Sequence, residues 1–190
     1  MPASVANAAR AIAEGALVVY PTDTLLGLGA RATSAEAVDR LLAAKGRPPT
    51  RSISFAVSSY EEVEPWAILD APRRTELRRL LPGPYTLLLP ASARARRDLA
   101  PALIGPGGTV GIRIPDHPVA RDLARRAGPI TATSANRHGE APARSLAGAR
   151  RALGRSVRVY LAARPRPRGS ASGLVDLTGE VARLLPRSSP

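Results

Sequence analysis

The chain between residues 16 and 29 reads ALVVYPTDTLLGLG, an apolar run followed by a proline, hydroxyls, a carboxylate and two glycines. A short apolar run bounded by turn residues is typical of a buried strand, which we predict at residues 16–20. Ligands of α/β proteins bind where such strands end, so the polar residues 22–24 are candidates for a binding site. Gly27 and Gly29 indicate a backbone conformation that residues with a side chain adopt less readily.

Helical and strand-like patterns alternate on both sides of this stretch. N-cap residues, prolines and closing glycines predict helices at residues 4–14, 72–81, 118–127 and 145–153 and after Ser34. A capping-box pattern at Ser59 and Glu62, typical of a helix start, precedes Trp66. Further strands are predicted at residues 52–57, 86–89, 109–114, 130–133, 157–162 and 174–177. We therefore predict an α/β fold: one domain over residues 1–190, with its core at about 4–185 and flanking helices on a twisted mixed β-sheet.

The composition excludes several classes of protein. The absence of cysteine rules out thiolate metal sites and disulfides and favours a reducing compartment, here the cytoplasm. No apolar stretch approaches the roughly 20 residues of a membrane span, and no secretory signal opens the chain, so we expect no membrane contact. The net charge of +13 attracts nucleotides or RNA, or else reflects an arginine-rich solvated surface.

Common catalytic motifs are missing. The sequence holds no GxxxxGK[ST] and no GxSxG, and its GxGxxA match at residues 27–32 opens no predicted helix. The two histidines, His117 and His138, have no cysteine to join them in a metal site, and we predict none. Binding groups must therefore come from polar segments at the ends of the predicted elements.

Two such segments are rich in cations. Residues 45–51 read KGRPPTR, where Lys45, the only lysine of the chain, stands with Arg47 and Arg51 at the end of a predicted helix. These cations favour an anion-binding site, although an ordinary helix C-terminus would also attract them. Residues 164–172 read RPRPRGSAS, which predicts an exposed loop that is either a solvated linker or a flap contacting phosphate.

Two others lie on predicted strands. Thr109 and Arg113 are four residues apart and so share one strand face, which Gly111 between them keeps open. Arg113 needs a partner if it is buried, and that partner is either a ligand or a structural carboxylate. The segment TATSAN at residues 131–136 ends a buried strand in hydroxyls and an amide, which also fits an ordinary turn.

Taken in order, these segments resemble the YrdC-type threonylcarbamoyl-AMP synthase family in its short bacterial form. The family pattern runs YPTxT…GLG, KxRP, PGPxT, RxPxHP, SAN and VDxT. The matching positions are residues 20–24 with Gly27 and Gly29; Lys45, Arg47 and Pro48; residues 82–86; Arg113, Pro115, His117 and Pro118; residues 134–136; and Val175, Asp176 and Thr178. The resemblance spans about residues 20–185.

The resemblance implies a fold with a basic concave cavity and a nucleotidyltransferase activity. L-threonine, bicarbonate and ATP would give threonylcarbamoyl-AMP and pyrophosphate, the first step of N6-threonylcarbamoyladenosine (t6A) modification of tRNA. It also implies Mg²⁺ with the ATP, tRNA or double-stranded RNA as a partner, and contact with other t6A-pathway proteins.

The resemblance also assigns roles to single residues. It implies threonine contacts at Thr24, Arg113 and Ser172. It implies ATP contacts at Lys45, Arg47, Arg51, Thr109, Ser134, Asn136 and Arg183. Lys45, Arg47 and Arg113 would be catalytic. We expect replacement of Lys45 or Arg113 by alanine to cost most of the activity and to leave the fold intact.

The chain departs from the family pattern at three positions, and alternative functions remain. A Ser-Thr pair of the family is Ser172-Gly173 here, and the serine of SANxSG is His138. The closing arginine has no exact counterpart: Arg183 is nearest if one residue is deleted after Asp176, and Arg187 would need a shift. The alternatives are a paralogue that binds nucleotide or RNA without making the adenylate, a carbamoyltransferase like the related hydrogenase-maturation domain, and a double-stranded RNA-binding module. Strong, salt-dependent RNA affinity without ATP turnover would favour the last.

Overall fold

The computed structural model describes residues 4–48, 52–162, 164 and 166–186. Within these ranges the chain forms six α-helices, with bounds α1 Val5–Ala13, α2 Ala35–Lys45, α3 Ala71–Leu80, α4 Ala93–Asp98, α5 Pro118–Ala127 and α6 Leu146–Leu153. The strands are β1 Leu17–Pro21, β2 Leu26–Gly29, β3 Phe55–Ala56, β4 Tyr85–Pro90, β5 Ile104–Gly105, β6 Thr109–Arg113, β7 Ile130–Thr131, β8 Thr133–Ser134, β9 Val157–Tyr160, β10 Gly173–Asp176 and β11 Arg183–Leu185.

The described strands form two mixed sheets, which confirms the α/β class and divides the expected sheet in two. The smaller has the order β8-β2-β1-β9, and the larger has the order β11-β10-β4-β6-β3-β7 with β5 added beside β6. Both mix orientations, since β1 is antiparallel to β2 and parallel to β9, while β4 is antiparallel to β6 and parallel to β10. The two sheets meet where β7 leads into β8, and there Thr131 Oγ1 accepts the amide of Ala30 at 2.9 Å.

The five predicted helices are confirmed, whereas α4 was not predicted, and Ser4 and Ser34 cap their helices as the sequence indicated. Side-chain oxygens of Ser4, Ser34 and Ser145 accept first-turn amides, and α2 ends at Gly46, whose left-handed φ of 60° suits glycine. The capping-box prediction at Ser59 was wrong. Residues 59–66 form turns, because the Glu62 carboxylate instead accepts both the amide and the hydroxyl of Ser58, each at 2.8 Å.

Apolar side chains pack into two clusters that leave the polar strand ends between them. The larger lies among α2 and both sheets, and the smaller joins one face of α1, including Ile12, to Leu123 of α5 over β1. Both residues are fully buried, and each such burial contributes roughly 1.5–3 kcal/mol. No helix within the described ranges is long and apolar enough to cross a bilayer.

Candidate functional site

A cavity of about 640 Å³ is lined by residues of both sheets. Leu26 and Ser134 line it from the smaller sheet, and Leu88, Arg113 and Leu174 from the larger one. Seven of the residues singled out in the sequence line this one cavity: Thr24, Lys45, Arg47, Arg113, Ser134, Asn136 and Ser172. They are brought together from segments far apart in the chain, since the strand ends of the two sheets converge here.

Arg113 is held at one end of the cavity by two contacts. Its Nη2 donates to Asp23 Oδ1 at 2.7 Å, and its Nη1 donates to Thr24 Oγ1 at 3.0 Å. All three side chains are buried, and burial lowers the pKa of Arg113 while the Asp23 carboxylate opposes that effect. Arg113 therefore has the structural ion pair and also lines the cavity, and its binding of a ligand stays a prediction.

Thr24 is fixed by the turn that leaves β1. Thr22 Oγ1 lies 3.0 Å from Thr24 Oγ1, accepts the amides of Thr24 and Leu25, and donates to the Leu25 carbonyl at 2.7 Å. The hydroxyls of this segment thus make a turn that ends one strand and starts β2. Sequence reasoning missed β2, because its glycines and the preceding hydroxyls read as a loop.

Gly27 and Gly29 serve a different purpose from the one predicted. Neither has a positive φ. A β-carbon at Gly27 would lie 2.8 Å from Tyr20 Cζ, and one at Gly29 would lie 3.0 Å from Tyr20 Cε1. The two glycines make room for the buried Tyr20 ring, whose hydroxyl donates to the Thr131 carbonyl at 3.0 Å and whose pKa burial raises.

Lys45 joins the end of α2 to the segment after β8. Its Nζ donates to the carbonyl oxygens of Ser134 at 2.5 Å and Asn136 at 2.6 Å, and its own carbonyl accepts the His138 amide at 2.7 Å. Burial, with a smaller contribution from the charge of Arg47, lowers the pKa of Lys45 to about 8. The residue is thus more than a helix-terminal cation, because its ammonium organises the loop that carries Ser134 and Asn136.

Arg47 and Asn136 complete this end of the cavity. Arg47 Nη2 donates to the Ser52 carbonyl at 2.9 Å. Asn136 Nδ2 donates to the carbonyls of Arg137 and Glu140, at 2.9 and 2.7 Å, which closes a turn that brings His138 into the cavity lining. Glu140 is the one carboxylate among the described lining residues, so this end is predominantly cationic. Arg51 lies outside the described residues.

Ser172 reaches the cavity from the late loop. Its hydroxyl lies 2.9 Å from Thr86 Oγ1, and both side chains are buried. The amides of Arg168 and Gly169 donate to the carbonyls of Asp23 and Thr24, at 3.1 and 2.8 Å. The described part of residues 164–172 is therefore docked on the β1 end, whereas a freely solvated linker would lack these bonds.

Thr109 and Arg183 do not line the cavity in this structure, although the strand register puts both on its side of the larger sheet. Thr109 shares a face of β6 with Arg113, as predicted, but its hydroxyl donates to the Pro106 carbonyl at 3.2 Å. Arg183 is opposite Asp176 in an exposed edge strand. Their assignment to ATP stays a prediction without support from the cavity lining.

The departure at Gly173 does not affect the cavity. Gly173 is paired with Tyr85, on the face opposite Leu174, which lines the cavity. A β-carbon at position 173 would lie 2.9 Å from Tyr85 Cδ1, so the tyrosine ring occupies the space of the missing side chain. The hydroxyl that this chain lacks would therefore have pointed away from the site.

The fold and the site define a class: a mixed α/β protein with a cavity, lined by cations and hydroxyls, between two sheets. A family model named Sua5_yciO_yrdC, described as telomere recombination, matches residues 10–188. The chain belongs to this Sua5/YciO/YrdC family.

Relatives with assigned activities and solved structures are similar over most of the chain. A threonylcarbamoyl-AMP synthase of Chromohalobacter salexigens is 41% identical over 80% of this chain and 82% of its own. A putative threonylcarbamoyl-AMP synthase of Mycobacterium tuberculosis is 39% identical over 95% of this chain and 82% of its own. The crystal structure of P. abyssi Sua5 complexed with L-threonine superposes with a TM-score of 0.87 at 32% identity, over 95% of this chain. The present chain spans only 53% of that Sua5 chain.

Proposed function

We propose that this protein is an enzyme that makes threonylcarbamoyl-AMP from L-threonine, bicarbonate and ATP. The observation that carries the proposal is the convergence of Lys45, Arg47 and Arg113 with the predicted hydroxyl residues Thr24, Ser134 and Ser172 on one cavity. Relatives named threonylcarbamoyl-AMP synthase, and a related Sua5 bound to L-threonine, support the identity of the substrates. The product would serve the first step of t6A modification of tRNA, in the cytoplasm.

The amino acid would bind at the Arg113 end. Arg113 Nε is a buried donor for which the described residues provide no hydrogen-bond partner, so a ligand carboxylate could accept from it. Thr24 and Ser172 add hydroxyls near the same end. An alcohol and a carboxylate on one small molecule match these groups, as in threonine.

The triphosphate would bind at the end formed by Lys45, Arg47, Ser134 and Asn136. Ammonium and guanidinium groups stabilise phosphate oxygens through charge-assisted hydrogen bonds. Mg²⁺ would arrive with ATP and be held by phosphate oxygens and water. Among the described residues, no three side chains of His, Cys, Asp or Glu lie close enough together to hold a metal ion.

The chemistry then requires positioning more than acid–base catalysis. The threonine amine adds to the carbon of CO₂ and loses a proton, which gives a carbamate. From bicarbonate the same product forms when the new C–N bond replaces a C–O bond and water leaves. A carbamate oxygen attacks the α-phosphorus of ATP; the new O–P bond forms as the bond to the bridging oxygen breaks, and pyrophosphate leaves. Cations at both ends of the cavity hold the carbamate and ATP next to each other, although both are anions. The same cations stabilise the charge on the leaving pyrophosphate.

The decisive experiment measures pyrophosphate release from ATP, Mg²⁺ and bicarbonate with and without L-threonine. We expect release that depends on threonine, with the adenylate detected by mass spectrometry. The variant R47Q should lose at least about tenfold in kcat/KM, whereas R10Q, which changes an exposed arginine of α1, should retain it. ATP binding without release would favour the paralogue that binds nucleotide without making the adenylate.

An RNA-binding role has a specific observation in its favour. Residues 137–168 contain nine arginines and one acidic residue, Glu140, so this part of the chain holds most of the net charge. The segment includes α6 and β9 and begins at the cavity wall, where a basic surface would attract tRNA or double-stranded RNA. RNA affinity that falls steeply with salt and drops in R150Q/R151Q would support this role.

A further inference from the structure

Asp23 is a buried carboxylate directly behind the cavity wall, and the sequence marked it only as part of the polar segment 22–24, with no role of its own. Its side chain is 5% exposed and is absent from the residues that line the cavity. We propose that Asp23 is a positioning residue for the amino-acid end of the site, where it holds Arg113 through its carboxylate and the late loop through its backbone. This role deepens the proposed function and rests on it for the identity of the ligand.

Two hydrogen bonds fix the direction in which the Arg113 guanidinium presents its donors. Asp23 Oδ1 takes one hydrogen bond from Nη2, and Thr24 Oγ1 takes another from Nη1. A guanidinium held at two nitrogens cannot rotate freely, so its remaining donors keep a fixed direction before any ligand arrives. The unused Nε is one of those donors.

The charge of Asp23 balances the charge of Arg113 at this end of the cavity. A buried guanidinium without a counter-ion is costly, and Asp23 reduces that cost. The Asp23–Arg113 pair is neutral overall, so it accepts a ligand of zero net charge more readily than a polyphosphate. The opposite end has Lys45 and Arg47, and Glu140 is its one lining carboxylate among the residues that the structure describes. Asp23 therefore helps direct the zwitterionic amino acid to one end and the triphosphate to the other.

Backbone bonds also connect Asp23 and Thr24 to the late loop, residues 164–172. The Asp23 carbonyl accepts the Arg168 amide, and the Thr24 carbonyl accepts the Gly169 amide. The same short turn thus fixes Arg113 from one side and, from the other, the loop that carries Ser172 into the cavity. Disturbing Asp23 should loosen both groups together.

The test uses the full chain with D23N, D23E and the control D70N, in which the exposed cap of α3 undergoes the same change. Calorimetry gives the affinity for L-threonine and, separately, for ATP. NMR of the Arg113 Nε–H and hydrogen exchange at the amides of Arg168 and Gly169 report positioning without any substrate. We expect D23N and D23E to weaken threonine binding at least about tenfold and ATP binding less than twofold, to shift the Nε–H resonance, and to speed exchange at both amides. D70N should change none of these.

Two results would overturn the proposal. One is a folded D23N or D23E that binds threonine within twofold of the wild type, and the other is an equal loss for ATP. If D23N does not fold, D23E, which retains the charge on a longer side chain, decides by the same criteria. If the wild type binds no threonine, the proposed function fails, and the Nε–H resonance with the two exchange rates then decides for or against positioning by Asp23.

Discussion

Lys45 Nζ lies 2.6 Å from the carbonyl oxygen of Asn136, a residue 91 positions further along the chain. A second bond to the Ser134 carbonyl leaves one of the three ammonium hydrogens for a ligand. Lys45 therefore acts on a nucleotide in two ways in our proposal, directly through its charge and indirectly through the loop that it holds. A planar arginine does not offer the same three hydrogens from one atom, which gives a reason for lysine at this single position.

The lowered pKa of Lys45 predicts a pH limit on ATP binding. Since this pKa is about 8, the free enzyme loses the ammonium charge just above neutral pH. We expect kcat/KM for ATP to be nearly constant below pH 8 and to fall by about tenfold per pH unit once the neutral form dominates above it, because kcat/KM reports ionisations of the free enzyme. The profile is measured by initial rates of pyrophosphate release between pH 6.5 and about 9.5.

Between about pH 8 and 10.5 the contribution of Lys45 to the free energy of unfolding should rise while kcat/KM for ATP falls. A fall in activity over this pH range is therefore not caused by unfolding at this residue. The pKa of Lys45 lies below its ordinary value of 10.5, so between about pH 8 and 10.5 the unfolded chain binds more protons at this residue. The contribution of Lys45 to the free energy of unfolding therefore rises with pH in that range. K45M should be less active and should lack the decline above pH 8. An identical decline in K45M would assign it to another group.

The sequence predicted the helices and most strands well, and the site in part. Residues with local signals were found: Ser34 caps α2, and Lys45 marks its end beside Gly46. Asp23 was marked within the polar segment 22–24, but its pairing with Arg113 was missed because the two residues lie 90 positions apart and only the pairing of distant strands brings them together. The docking of the late loop was missed for the same reason, since backbone bonds between remote segments leave no residue pattern.

Gly111 should tolerate no side chain. A β-carbon there would lie 2.6 Å from Ser54 Oγ and 3.1 Å from Ser54 Cβ, and Ser54 lines the cavity. We expect G111A to lower the free energy of unfolding by about 1–3 kcal/mol and to weaken ATP binding, because Ser54 must shift. Urea unfolding and calorimetry measure the two effects. The matched control is G179A, whose β-carbon would meet no atom of the described residues within 4 Å; equal losses in both would contradict the packing argument.

Restoring the family's hydroxyl at Gly173 should not improve the enzyme. Position 173 lies on the sheet face away from the cavity, and Tyr85 Cδ1 and Cε1 would lie 2.9 and 3.0 Å from the new β-carbon. We expect G173T to cost about 1–3 kcal/mol of stability without raising kcat/KM. The double variant G173T/Y85A should lose less than the sum of the single losses, since the clash is removed. A rise in kcat/KM for G173T would show that this face contributes to the site.

Arg113 should be needed for the fold as well as for binding, against the sequence expectation that its loss spares the structure. Arg113 and Asp23 are both buried, so R113M leaves a carboxylate in the interior without its counter-ion. Loss of one partner of a buried pair typically costs about 3–5 kcal/mol, whereas loss of both charges costs less. We therefore expect R113M to be markedly destabilised and D23N/R113M to recover part of that stability while threonine binding stays lost. Urea unfolding of the wild type, both single variants and the double variant gives the coupling energy. A coupling energy near zero would mean that the pair contributes nothing to folding and that Arg113 is held in place by β6 alone.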